Sequence, residues 1–322
     1  MRYRAFGNTS WRVSEIGAGT WAMGGMWGAV DEQEAIAALH RALACGVNVI
    51  DTARAYGEGR AEALIAKALA GRSETVYLAT KVPPKNLEWP ARRDVSVEEA
   101  FPAAWIIRCT EQSLRRLKRD TLDLQQLHVW APGWLAQRDA WWPAVERLKR
   151  EGKIRTFGIS INDHDPDTGL ELVSSGLIDS VQVIYNIFDQ RPAERLFPLC
   201  QQHHVGVIAR VPFDEGGLSG ALTERTTFEA DDWRVDYFRG ERLQETVRRA
   251  GRLTFLLRDE IHTLAQGALK FCLSHPAVST VIPGMRRRAH VEENCAVSDG
   301  KPLSTSELLQ LKAHAWSRNF YR

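Results

Sequence analysis

Residues Asn48 to Glu62 read NVIDTARAYGEGRAE, and the fold is decided here. An apolar run, Val49-Ile50, ends at Asp51-Thr52, a glycine-containing loop carries Tyr56, and a helical pattern, AEALIAKALA, resumes at Ala61. Strand, short loop and helix in that order form the unit of an α/β protein. The carboxylate closing the strand and the phenol five residues later are candidates for a reaction centre, provided other strand ends supply partners.

The unit recurs in both directions. Upstream, YRAFG and WRVSEIG flank the turn-forming Asn8-Thr9-Ser10 and read as a hairpin. IGAGTW follows as a strand, and Asp31 caps EQEAIAALHRALACG, a helix that stops at Gly46. Downstream, strands are expected near 76–81, 122–128, 154–159, 179–184, 205–210 and 279–283, joining those near 16–20 and 47–51 to make eight. Most are short Val/Ile/Leu-rich runs without clean polar alternation, as in a parallel sheet buried on both faces. Helices are expected between them, among them one long helix from Glu98 to Asp120. The polar segment from Pro212 to Glu260 breaks the rhythm and reads as an elaborated loop with short helices.

Eight such units in a chain of this length predict a (β/α)8 TIM barrel with an N-terminal β-hairpin plug and a C-terminal helix. One domain, 1–322, is expected, since no repeat or linker divides the chain. A doubly wound Rossmann sheet would need G-x-G-x-x-G leading into a helix after its first strand, and IGAGTWAMGG lacks that spacing.

Composition narrows the class. The 322 residues are 44% hydrophobic and 25% charged, with a net charge of +2, too balanced to argue for nucleic acid. The five cysteines, Cys45, Cys109, Cys200, Cys272 and Cys295, are scattered without metal-ligand spacing, so free thiols in a reducing compartment are expected. No signal peptide or membrane-length apolar run is present, and a soluble cytoplasmic protein is the expectation. Oligomeric state is not legible.

In a (β/α)8 barrel the C-terminal strand ends converge on one mouth. Asp51, Tyr56, Lys81 and His128 fall there, on or just after three successive strands. Singly, each has a bland reading as a turn cap, a rim aromatic, a solvated lysine or a core histidine. Together they make a coherent site. Lys81, paired with Asp51, would draw the Tyr56 pKa down from about 10, and Tyr56 would exchange a proton with a carbonyl oxygen oriented by His128. Such a set suits carbonyl reduction, in which oxyanion charge develops as hydride arrives.

The chain resembles the aldo-keto reductase superfamily over nearly its whole length. The matching pieces are IGAGTW, IDTARAYG with GRAEALIAKAL, LATKV, LDLQQLH, KIRTFGIS, VQVIYN, GVIARVPF with EGGLSG, and VIPG with HVEEN. The resemblance implies a catalytic tetrad of Asp51, Tyr56, Lys81 and His128 and an extended NADP(H) or NAD(H) across the mouth. It further implies cofactor contacts from Gly19, Thr20 and Trp21, from Asp51, and from Ser160, Asn162 and Gln182 around the carboxamide. Arg210 falls where the family stacks an aromatic ring on nicotinamide. Pro212, Phe213, Gly217, Leu218 and Gly220 match the segment over the pyrophosphate. Gly284, Arg286, Arg287, Arg288, Glu293 and Asn294 match the segment that reads the adenosine phosphate.

The chain departs from the family pattern in places. Ile161 separates Ser160 from Asn162, Gly284 replaces a lysine, and His290 replaces an arginine. The run Arg286-Arg287-Arg288 suits fork-like binding of a 2′-phosphate, and NADPH is expected over NADH. Trp21 and Trp130, after the first and fourth strands, are expected to wall the substrate site beside Tyr56 and His128 and to favour apolar or aromatic carbonyls. Two rivals stand against the reductase reading, a nicotinamide-binding regulatory subunit with little turnover and a barrel aldolase using Lys81 as a Schiff-base nucleophile.

Overall fold

The computed structural model describes residues 1–25, 27–161 and 163–321. Strands β1 (Tyr3–Ala5) and β2 (Arg12–Ser14) form an antiparallel hairpin. Then β3 (Ala18–Gly19), β4 (Val49–Asp51), β5 (Tyr77–Val82), β6 (Leu122–Leu127), β7 (Ile154–Ser160), β8 (Ser180–Ile184), β9 (Gly206–Arg210) and β10 (Val278–Val281) lie side by side in chain order, all parallel. The last strand meets the first. The Gly17 amide donates to Val281 O at 2.8 Å, and the Gly19 amide to Pro283 O at 3.0 Å. A Cβ on Gly19 would stand 2.7 Å from Ile282 O, so closure there requires glycine. The expected eight strands are all present, with their ends within about two residues of the expected positions.

The helices are α1 (Glu32–Ala44), α2 (Arg60–Ala68), α3 (Val97–Ala100), α4 (Ala103–Leu117), α5 (Trp142–Arg150), α6 (Leu170–Ser174), α7 (Leu196–Gln202), α8 (Arg234–Tyr237), α9 (Arg242–Gly251), α10 (Leu264–Ser274), α11 (Arg288–Ala296) and α12 (Thr305–Lys312). The first shows why they form. Asp31 accepts from the Gln33 and Glu34 amides, and Ala35, Ala38, Leu39 and Ala42 recur at helical spacing on the buried face. Gly46, at φ 88°, then turns the chain toward β4.

One expectation fails here. The long helix from Glu98 to Asp120 is two helices, α3 and α4, broken at Phe101-Pro102. Proline lacks the amide a helix needs and drives the preceding residue out of helical conformation; Phe101 has φ −137°. The segment after β9 is the elaborated loop expected, and α8 and α9 cross it. Its Tyr237, Phe238 and Leu243 form a small cluster that also takes in Phe320 and Tyr321 near the C-terminus.

Inside the barrel, alternate residues of each strand face the axis. Val49, Ala79, Leu124 and Ile208 make an apolar lower layer, closed from below by Phe6 of the hairpin. Arg4 anchors that plug, donating to Leu273 O at 2.7 Å and to Val278 O at 2.9 Å. Two residues further along the same strands come Asp51, Lys81, Gln126 and Arg210. The polar upper layer is thus set by strand periodicity.

Candidate active site

Register brings the first two site residues together. Asp51 lies opposite Ala79 in the β4–β5 ladder, so Lys81, two residues on, projects into the same layer. The Lys81 side chain is wholly buried, with Nζ 2.5 Å from Asp51 Oδ1, 2.8 Å from Thr52 O and 3.2 Å from Tyr56 Oη. Gln182 Nε2 donates to the other Asp51 oxygen at 2.8 Å. Burial opposes the lysine's charge, but Asp51 and Tyr56 outweigh it, and the Lys81 pKa is raised.

The loop that carries Tyr56 is pressed into place by glycine. A Cβ on Gly24 would lie 2.7 Å from the Tyr56 carbonyl carbon, and one on Gly57 would lie 2.2 Å from Gly24 O. Behind it, Glu62 of α2 accepts from Thr80 Oγ1 at 2.8 Å, tying the helix to the strand residue beside Lys81.

His128 follows β6, its amide donating to Val82 O at 2.9 Å. Its ring stands edge-on to Tyr56, with centroids 5.7 Å apart. Burial, reinforced by Lys81 and Arg210, depresses its pKa well below the usual value, so the imidazole is neutral at neutral pH. Nδ1 has no hydrogen-bond partner among the described residues.

Tyr56 departs from expectation. Burial raises its pKa, and the nearby Lys81 ammonium offsets only part of that rise, with Asp51 pushing the same way as burial. Taking a phenolate out of water costs more than one shared cation returns. The phenol is therefore held protonated.

Asp51, Tyr56 and His128 line a cavity of about 480 Å³ at the C-terminal end of the barrel, and Lys81 lies buried behind them. Of the residues expected to touch cofactor, Gly19, Thr20, Trp21, Asp51, Ser160, Gln182, Arg210, Pro212, Phe213 and Gly284 line it. Asn162 lies outside the described residues. Arg210 donates to Ile161 O at 3.0 Å, and its buried Nε has no partner among the described residues.

Other expected contacts lie off this cavity. The Leu218 side chain belongs to the hydrophobic core, and Gly217 packs against Thr246 and Asp214. Gly220 turns the chain at φ 78°. Glu293 accepts from Thr263 Oγ1 at 2.6 Å, and the buried Asn294 reaches Gly284 O at 3.4 Å. Of the three arginines, Arg286 donates to Trp27 O at 2.6 Å and Arg288 pairs with Glu34 at 3.2 Å. Arg287 is exposed at the start of α11.

Trp130 is a correction. It is 1% exposed and packs edge-on against Trp134 and Trp141 at 5.8 and 5.6 Å, inside the core and away from the tetrad's cavity. Strand alternation would have put Trp130 on the same side as His128, but β6 ends at Leu127 and the chain bends. Trp89 takes the expected place, edge-on to His128 at 4.6 Å. Trp27, Trp233, Glu215 and Tyr321 also line the cavity and were not singled out by sequence. They belong to the loops after β3 and β9 and to the C-terminal segment. A local pattern does not bring residues so far apart together.

Between β9 and the cavity rim, Val211, Asp214 and Glu215 adopt left-handed φ values of 54°, 50° and 55°. Such conformations cost on the order of 1–3 kcal/mol each in non-glycine residues and concentrate at ligand sites.

Fold and site together define a (β/α)8-barrel oxidoreductase. The chain belongs to the Aldo/keto reductase family, whose model matches residues 15–315. It is 30% identical over 298 residues to the aldo-keto reductase YhdN of Bacillus subtilis, covering 91% of this chain and 87% of that one. The holo form of the aldo-keto reductase AKR11C1 from Bacillus halodurans superposes with a TM-score of 0.77 at 31% identity, covering 99% of this chain and 98% of that one. A Klebsiella pneumoniae aldo-keto reductase in complex with NADPH superposes with a TM-score of 0.70 at 29% identity, covering 99% of this chain and 97% of that one. The resemblance carried by the sequence motifs is borne out. Among the described residues, no helix is long and apolar enough to cross a membrane.

Proposed function

We propose that the protein reduces an aldehyde or ketone to its alcohol, with NADPH as hydride donor and Tyr56 as proton donor. The observation that carries this reading is the Tyr56 hydroxyl 3.2 Å from Lys81 Nζ at the wall of the cavity, where burial raises its pKa and favours the protonated phenol. Reduced nicotinamide, when bound, supplies the hydride. The residues present suit it. Ser160 and Gln182, which line the cavity, would hold the carboxamide, and Gln182 Nε2 is anchored by its bond to Asp51. Arg210 offers a planar guanidinium for stacking, and Pro212 and Phe213 flank the path toward Gly284, where the wall is open.

The chain's own chemistry follows. The substrate oxygen lies between Tyr56 and His128, and the neutral imidazole donates a hydrogen bond to it without adding charge. As negative charge builds on that oxygen, Tyr56 releases its proton, and Lys81 stabilises the tyrosinate left behind. Asp51 holds Lys81 in position. Trp21, Trp89, Trp233 and Phe213 wall the site with apolar surface, which excludes water and favours carbonyls bearing apolar or aromatic groups.

The Schiff-base alternative is opposed by Lys81 itself. A nucleophilic amine must be neutral, and this one is a buried ammonium with three oxygen partners. The test is NADPH consumption across aliphatic, aromatic and sugar aldehydes. Turnover with apolar or aromatic carbonyls is expected. Tight NADPH binding with no oxidation across the whole panel would favour a regulatory role instead.

A further inference from the structure

One buried acid in the cavity wall has no ion-pair partner among the described residues. Glu215 is 4% exposed, and one carboxyl oxygen accepts from Tyr321 Oη at 2.5 Å. The neighbouring charges are committed elsewhere. Asp214 accepts from Tyr237 Oη at 3.0 Å and pairs with Arg318, whose guanidinium lies over Trp316 and Phe320. Arg234 is paired with Asp232 at 2.5 Å, and Arg210 donates to Ile161 O. His164, beside the Tyr321 ring at 5.5 Å, is taken up by Asp189.

Tyr321 in turn builds the outer wall of the cavity. Its ring stacks on Trp233 at 5.6 Å, Trp233 stacks on Trp21 at 5.4 Å, and Trp21 faces Tyr56 at 6.3 Å. Two adjacent acids of the segment after β9 thus hold two residues of the C-terminal arm. The Asp214–Arg318 contact is matched in charge, whereas the Glu215–Tyr321 contact is not.

We propose that Glu215 is a positioning residue whose carboxyl holds the C-terminal arm, through Tyr321, across the outer end of the cavity, and that loading of the anionic cofactor draws a proton onto it. The inference rests on the nicotinamide-cofactor reading of this cavity. Burial already pushes the Glu215 carboxyl up to about 7; the Tyr321 hydrogen bond opposes this and Asp214 reinforces it, while Arg210 and Arg234 oppose it from further away. A polyanion in the cavity disfavours the carboxylate further, so binding takes up a proton from solvent and weakens as pH rises. The neutral carboxyl keeps Tyr321 in place and adds no repulsion.

Calorimetric titration of NADPH and of NADH, in buffers of different ionisation enthalpy, tests this on the full-length protein. Wild type is expected to take up a net fraction of a proton between about pH 7 and 8.5 that Glu215→Gln does not. Its affinity should fall about three- to ten-fold more than that of the variant across the same range. Comparing wild type with variant removes the contribution of the cofactor's own 2′-phosphate. Glu215→Gln keeps an acceptor for Tyr321, and Tyr321→Phe provides a second reading. Losing a donor that favours the carboxylate should move the uptake to higher pH. Binding with the same proton uptake in wild type and Glu215→Gln overturns the role of Glu215. Failure of both dinucleotides to bind wild type overturns the cofactor reading itself, which is a separate outcome.

Discussion

The Lys81 ammonium lies 3.2 Å from the Tyr56 hydroxyl, and the phenol nonetheless keeps its proton because burial outweighs the neighbouring charge. The pair is therefore set up to give a proton. The pH dependence follows from the signs. Lys81 and Tyr56 both have raised pKa values in the fold, so both favour the protonated state there. Carbonyl reduction should hold its rate through neutral pH and fall only above about pH 10, as Tyr56 ionises. A pH–rate profile measures this; a decline centred near neutral pH would show a phenol that ionises far more readily.

Asp51 and Lys81 stand or fall as a pair. Asp51→Asn leaves a buried ammonium without its counter-ion and should cost about 3–5 kcal/mol in urea-induced unfolding. The stability held by Lys81 is present at neutral pH and is lost as pH rises through its raised pKa. The loss caused by Asp51→Asn should therefore shrink under alkaline conditions, and an unfolding series against pH checks the slope.

His128 works in the opposite direction. Its pKa is depressed, so the fold holds it neutral while the unfolded chain takes up a proton below about pH 6.5. Wild-type stability should fall as pH drops through this window, by up to about 1.4 kcal/mol per pH unit from this residue. His128→Gln should remove that part of the acid sensitivity. Equal slopes in the two proteins would contradict an imidazole held neutral by the fold.

The tryptophans divide by role. Trp130→Ala opens a hole among Trp134 and Trp141 and should destabilise the protein by about 3–5 kcal/mol. Trp89→Ala removes the ring against His128, and since Trp89 is 45% exposed it should change KM for the carbonyl more than stability. Thermal unfolding and steady-state kinetics on both variants separate the two.

Among the described residues, Arg287 at the start of α11 carries no ion pair, whereas Arg288 is engaged by Glu34 and Arg286 by the Trp27 carbonyl. Arg287→Ala should weaken NADPH by about 1.5–3 kcal/mol and leave NADH unchanged in a binding titration. Equal losses for both cofactors would remove its role as a phosphate contact.

Much of this was legible in the sequence, for identifiable reasons. Strand runs such as VNVID and TVYLATK carry their length and apolar character locally, and in a barrel their ends must meet, so Asp51, Lys81 and His128 could be placed together. Trp130 could not, because alternation lapses where the ladder ends at Leu127. The direction of the Tyr56 shift is not legible in the sequence, because desolvation depends on what the rest of the chain stacks around the phenol, Trp21 included. The Glu215–Tyr321 contact joins residues 106 positions apart, and no pattern along the chain announces it.

The central claim is that Tyr56 gives its proton to the carbonyl oxygen as hydride leaves the nicotinamide. Single-turnover oxidation of pre-bound NADPH by an aromatic aldehyde, followed by nicotinamide absorbance in wild type and Tyr56→Phe, tests it most directly. Wild type should oxidise the cofactor, and the variant should bind NADPH as tightly but turn over about 10²–10⁴-fold more slowly. Equal rates in the two proteins would contradict the account.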